Sequence, residues 1–256
     1  MTDSERRYTA NIHNTGALID ESKTVLRLFS KYKDEQKVKQ VLLEDNPLNK
    51  ESEGSIEKIF FITRKRYLRK NPWPLIKILE SDLPSKTVEA VMFYYFAKSD
   101  NLVYDLTTEV LFDLYSKGNL TVTKNDIEEF LQSKEEKHSE ISDWSITTRN
   151  KTIRHYLAAV KDFGLLEGSK KKEFADYHLP TDAFFYIFYH LYHSEDGTKN
   201  AVESKDWKLY LLKEQDIESA LSEGTRRGHI RYDSAGKITD IEPEFDSLED
   251  YVNAIT

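Results

Sequence analysis

The residues of this chain best suited to chemistry are cations. Thr148, Lys151, Arg154 and His155 recur at three- and four-residue spacing, which at about 100° per residue places them on one arc of a helix. Lys170, Lys171 and Lys172 follow in a Gly-Ser-Lys-Lys-Lys stretch. A helical arc of hydroxyls and cations beside a basic loop tip offers hydrogen bonds and positive charge to phosphate oxygens, the chemistry of nucleic-acid binding. A second cluster, Lys58, Lys65, Arg66 and Arg69, falls on the outer side of an earlier helical stretch and extends that footprint.

Other chemistries find less support. His190 and His193 are three residues apart and can share a metal, but Glu195 and Asp196 lie past the expected end of their helix, so packing or surface exposure is the stronger reading. The chain has no cysteine, which excludes a disulfide framework, a thiol nucleophile and a Cys-based zinc site. None of its nine glycines forms a phosphate-cradling pattern, and neither a nucleophile elbow nor a paired-histidine metalloprotease helix is present. Abundant carboxylates fall into no recognisable acid–base pair. No enzymatic activity, metal, cofactor or small-molecule substrate is expected.

The cations need elements to hold them, and the stretch from Asp143 to His178 supplies these. Ser145 and Thr147 can each cap a helix. Ile146, Ile153, Leu157 and Val160 form its apolar stripe, opposite Thr147 and the arc above, and Arg149 stands outside that arc. Gly164 ends the helix, and Leu165, Leu166 and the run from Phe174 to Leu179 flank the basic tip as strands of a hairpin. Upstream, Thr123 can cap a partner helix over Lys124–Leu131 with Ile127, Phe130 and Leu131 on one side. Helix, helix, hairpin is the order of a winged helix-turn-helix, spanning about residues 123–179, with the second helix in the major groove and the tip on neighbouring phosphates.

The 256 residues carry a net charge of −8, which looks wrong for a nucleic-acid binder until it is divided. Residues 1–70 carry +4 and residues 143–178 +2, whereas residues 71–142 carry −6 and residues 179–256 −8. Local field decides contact with phosphate, so the acidic C-terminal third stays off DNA. Before the winged segment the periodicity predicts a bundle of short helices: two between Asp20 and Asn46, a long one from Ser52 with Ile56, Ile59, Phe60, Thr63 and Tyr67 inward, and a buried one through Val88–Phe96. Leu102–Tyr115 continues the bundle up to Gly118. After Pro180 come an aromatic helix over Asp182–His193, an exposed loop over Ser194–Lys205, a helix over Glu214–Ser222, a hairpin about Asp233–Gly236 and a closing helix. The expected architecture is mainly α: a multi-helix N-terminal domain over 1–179 containing the winged segment, then a small acidic α+β unit over 180–256.

No apolar run approaches the roughly 18 residues of a membrane span and the N-terminus lacks a secretory pattern, so a soluble cytoplasmic protein is expected. With its residues laid out, the chain resembles the BrxA family of BREX (bacteriophage exclusion) defence systems. The likeness runs through Tyr8-Thr-Ala10, Gly16-Ala-Leu18, Glu21-Ser22, Asn46–Lys50, Arg64-Lys-Arg66-Tyr67, Trp144–Arg149, Phe163–Leu166 and Asp246–Tyr251. That resemblance implies a mostly helical, non-enzymatic DNA-binding accessory protein acting beside other defence subunits, with no catalytic motif to carry over. Double-stranded DNA, read with little sequence preference because few Arg or Asn side chains are placed for bidentate base contacts, is the expected partner. The alternative is a protein adaptor that docks other BREX subunits through the winged segment and the acidic third.

Overall fold

The computed structural model describes residues 7–69, 71–194, 197–235 and 238–256. Thirteen α-helices are found among them. α1 (Ile19–Tyr32), α2 (Glu35–Asp45) and α3 (Glu53–Tyr67) pack mutually, and α4 (Trp73–Glu80) lies against α1. α2 and α3 begin where Asp34 and Ser52 each accept a hydrogen bond from a free backbone N–H. α5 (Ser85–Lys98) is the buried centre: Val88, Val91, Met92, Phe93, Tyr94 and Phe96 are all enclosed. α6 (Asn101–Asp105) runs through a π-helical stretch, Leu106–Leu111, into α7 (Phe112–Ser116).

The next segment alternates short strands with helices. β1 (Thr121–Val122) leads to α8 (Lys124–Lys134) and α9 (Ile146–Asp162), then to β2 (Leu166–Glu167) and β3 (Lys172–Phe174). The three strands form an antiparallel sheet in the order β1-β3-β2, with Val122 opposite Lys172 and Leu166 opposite Phe174. β1 was not legible from sequence, since two residues are too few for an alternating pattern.

α10 (Thr181–Ser194) is buried from Ala183 to Tyr189 and packs on α5. The expected loop after it contains a further helix, α11 (Thr198–Glu203), whose Ala201 is buried and whose carbonyl receives the Trp207 indole N–H at 2.8 Å. α12 (Glu214–Arg227) runs a turn longer than expected, to Gly228 with φ of +74°. β4 (Ile230–Ala235) and β5 (Ile238–Pro243) pair antiparallel, and α13 (Leu248–Ile255) closes the chain. Gly236, in the turn expected between these strands, lies outside the described residues. The larger of two hydrophobic clusters among the described residues runs from Tyr8 through α5 and α10 to Val252, and the other joins Val25, Val38 and Leu42 to Ile56, Ile59 and Phe60. The larger is pinned by buried Asp206, which accepts from Tyr94 Oη at 2.7 Å, Tyr104 Oη at 2.6 Å and Lys98 Nζ at 2.8 Å.

Candidate nucleic-acid interface

α9 is held from one side and open on the other. Ser145, rather than Thr147, caps it, accepting from the Thr148 N–H at 3.1 Å. Ile153, Tyr156, Leu157, Ala159 and Val160 are buried, and the Tyr156 hydroxyl meets Thr107 Oγ1 of the π-helical stretch at 3.1 Å, where burial pushes its pKa far up. Gly164, at φ of +85°, turns the chain back. Arg149 bridges α9 to α8 and the following loop, reaching Glu128 at 3.2 Å, Glu135 at 2.5 Å and the Ile141 carbonyl at 3.0 Å. The hydrogen bond it donates to Glu135, with that to Glu128, raises its pKa further. One expectation fails: Ile146 is 79% exposed. Its angle fits the apolar stripe, but as the first helical residue it overhangs the end of the packed surface.

The open arc consists of Thr147, Asn150, Lys151, Arg154, Ala158 and Lys161, with the exposed carboxylate Asp162 beside Lys161 at its C-terminal end. Lys151 and Arg154 are exposed and make no ion pair or hydrogen bond among the described residues. Thr148 sits on the flank, half-buried, its hydroxyl 3.0 Å from Ser145 Oγ. His155 is on the same flank but lines an acidic cleft with Asp20, Glu21, Glu89 and Asp162, the last of which also acts on Lys161 of the arc. Asn150 and Lys161 were missed by the sequence reading, although the same 100° rotation that selected Arg154 includes both.

The hairpin tip is narrow. Gly168 takes φ of +78°, and a Cβ there would collide with the Lys171 carbonyl oxygen, so only glycine fits this turn. Lys170 projects freely, while Lys171 pairs with Glu173 at 3.1 Å across an exposed surface. Lys172 folds back over the tip, donating to the Gly168 carbonyl at 2.8 Å and the Ser169 carbonyl at 3.2 Å. Partial burial and the neighbouring Lys161 lower its pKa. The three lysines thus differ in reach, with Lys170 the outermost.

The second cluster lies along α3. Lys58 is exposed and donates to the Asn14 carbonyl at 2.9 Å, in the short 3-10 helix Asn11–Asn14 that packs against α9. Lys65 is half-buried and Arg69 exposed. Arg66 departs from the expected outer cluster: it turns inward, is 9% exposed, and donates to the carbonyls of Ala17 at 2.8 Å and Gly16 at 2.9 Å. Its guanidinium stands 4.6 Å from the Phe96 ring centre, and burial lowers its pKa. Helical rotation could not separate Arg66 from its neighbours because its partners come from a loop fifty residues earlier.

His190 meets Tyr94 and Tyr95 edge-on at 5.3 and 5.9 Å, and His193 packs by Tyr192 at 5.0 Å. Glu195 and Asp196 lie outside the described residues, among which no group of three or more potential metal ligands occurs. Nor, among those residues, is any helix long and apolar enough to cross a membrane.

With this geometry in place, a family model described as BrxA matches residues 6–190, most of the chain. The chain belongs to the BrxA family. The matched stretch of this BrxA-family chain contains α3, α9 and the basic hairpin, and stops within α10. A relative from Bacillus cereus (strain H3081.97), named BREX protein BrxA, is 23% identical over 166 residues, covering 65% of this chain and 82% of that protein. The crystal structure of an uncharacterized protein from Magnetospirillum magneticum shares the fold, with a TM-score of 0.64 and 15% identity over 80% of this chain and 100% of that one.

Proposed function

We propose that this BrxA-family chain is a non-enzymatic double-stranded DNA-binding component of a BREX phage-defence system. In this reading the segment from α8 to β3 serves as a winged helix-turn-helix. The observation that carries it is the open arc of α9: Lys151 and Arg154, with Asn150 and Lys161, face solvent beside a tip that extends Lys170, and the arc's carboxylate, Asp162, sits at the end of the helix against Lys161 and Lys172. The sheet order β1-β3-β2 around α8 and α9 supports the same reading, since it sets the tip next to α9. Four cations on phosphates, with Arg154 the only arginine on the arc, give weak base preference. The membership of a defence system rests on family kinship with the relative named above.

The reading is tested by fluorescence anisotropy of a labelled duplex across a salt series. Four phosphate contacts give a slope of log K against log salt of about −3.6. A slope near zero, or no binding at low salt, refutes it. A second reading, a protein-docking module, is favoured by the exposed apolar side chains Leu120, 81% exposed, and Ile146. Co-purification of another subunit that Leu120→Ser/Ile146→Ser abolishes, with no change in duplex binding, would support that role.

A further inference from the structure

The outer face of α3 has features that duplex binding does not require. Lys58, Phe61 and Lys65 recur at three- and four-residue spacing and Arg69 continues the stripe, so an aromatic ring stands between cations along one line. Phe61 is 51% exposed although its neighbour Phe60 is 4% exposed. Lys39 Nζ, itself paired with Glu57 at 2.7 Å, stands 5.6 Å from the Phe61 ring centre.

Two hollows adjoin this stripe. One of about 350 Å³ is lined by Phe61 with Asn11, Asn14, Lys58 and Val103. The other, of about 620 Å³, lies between α3, α5, α10 and α13 and is lined by Arg69, Lys98, Tyr95, His190 and His193. They share Lys65, Arg66 and Ser99, so they form one groove rather than two isolated pits. Two carboxylates line it, both already hydrogen-bonded, and Asp100 also acts electrostatically on Lys65. Asp100 caps α6 through the Leu102 N–H at 3.0 Å and accepts from Thr9, and Glu249 accepts from Asn71 at 2.5 Å. Arg69 makes no ion pair or hydrogen bond among the described residues.

We infer that this groove binds an unpaired polynucleotide strand, with Lys58, Lys65 and Arg69 following its phosphates and Phe61 stacking on a base. The surface of α9 is a helix and tip shaped for a groove of duplex DNA, whereas the α3 groove is concave and walled by rings, which suits splayed bases. A cation line alone would serve any phosphate backbone. An exposed phenylalanine within it stacks readily on a base that has left its stack, whereas bases within an undistorted duplex present their edges and not their faces. The site is separate from the duplex surface, and each can fail without the other.

The test is anisotropy of labelled oligodeoxythymidine and oligouridine, beside the duplex, with the full chain and three variants whose folding is checked by circular dichroism. Phe61→Ala weakens single-strand binding roughly tenfold, the loss of one stacking contact, and leaves duplex binding unchanged. Lys65→Glu/Arg69→Glu weakens it at least as much, while Lys151→Glu/Arg154→Glu weakens duplex binding and spares the single strand. A 2-aminopurine base in the strand is quenched by the wild-type chain and not by Phe61→Ala, a readout that altered charge or stability does not mimic. Binding of either strand chemistry supports the groove, and the tighter one names the source. No binding of either strand, or single-strand binding indifferent to both α3 variants, overturns the inference. Single-strand binding by a wild-type chain that binds no duplex would overturn only the proposed function.

Discussion

Replacing Asp206 tests how the C-terminal third is locked to the helical core. Its carboxylate is 2% exposed and accepts from two tyrosine hydroxyls and the Lys98 ammonium. In Asp206→Ala the Tyr94 hydroxyl, on a residue 2% exposed, loses its partner, at a cost of about 1–3 kcal/mol. Tyr104 loses a charged acceptor, for about another 1–2 kcal/mol. Lys98, whose side chain is 37% exposed, recovers much of its loss from water. The total is about 2–5 kcal/mol, and Asp206→Asn, which keeps one carbonyl acceptor, costs about 1–2 kcal/mol. Urea unfolding followed by far-ultraviolet circular dichroism and by fluorescence reads the midpoint, the two probes coinciding if the core unfolds as one unit. Tyr94→Phe should cost less in the Asp206→Ala background than in the wild type, because the orphaned hydroxyl is then removed, a coupling of about 1 kcal/mol or more. A loss below about 1 kcal/mol with unchanged slope, or strict additivity with Tyr94→Phe, would refute the reasoning.

Three further outcomes follow from the packing. Gly224→Ala places a methyl against the Phe185 ring, which is fully buried, so overpacking of about 1–3 kcal/mol outweighs a helix-propensity gain of about 1 kcal/mol and the melting temperature falls; a rise would contradict this. Arg149→Met removes both ion pairs between α9 and the α8 region, costing about 1–3 kcal/mol and loosening α9, so duplex binding weakens although Arg149 lies off the open arc; unchanged melting and binding would contradict it. Burial pushes Tyr67 and Tyr95 up to about 12. Because their folded pKa values are raised above the unfolded 10, the stability they contribute is whole below pH 10 and is lost as pH rises toward 12, by about 2–3 kcal/mol each. Their phenolate absorbance should appear together with unfolding, and stepwise ionisation of a chain that stays folded would contradict the assignment.

Much of this was legible in the sequence because it was local. Ser52, Thr123 and Ser145 cap the helices they precede, and Ile56, Ile59, Phe60, Thr63 and Tyr67 point inward as helical rotation requires. What was not legible depended on distant partners. Arg66 carries the same charge as Lys65 and Arg69, but carbonyls at residues 16 and 17 draw it inward. Of the acids around His155, Asp162 lies seven residues on along α9 and was within reach of helical rotation, whereas Asp20, Glu21 and Glu89 come from α1 and α5. Lys172 differs from Lys170 only because Gly168 folds the tip beneath it. Ile146 was misread for the opposite reason: periodicity has no knowledge of where a helix outruns its support.

The central claim is that α9 and the tip after it meet duplex DNA, and charge reversal tests it most directly. Lys151→Glu/Arg154→Glu, verified as folded by circular dichroism, should bind a labelled duplex far more weakly than wild type, with the salt slope shallower by about 1.8. Binding and slope equal to wild type would contradict the account.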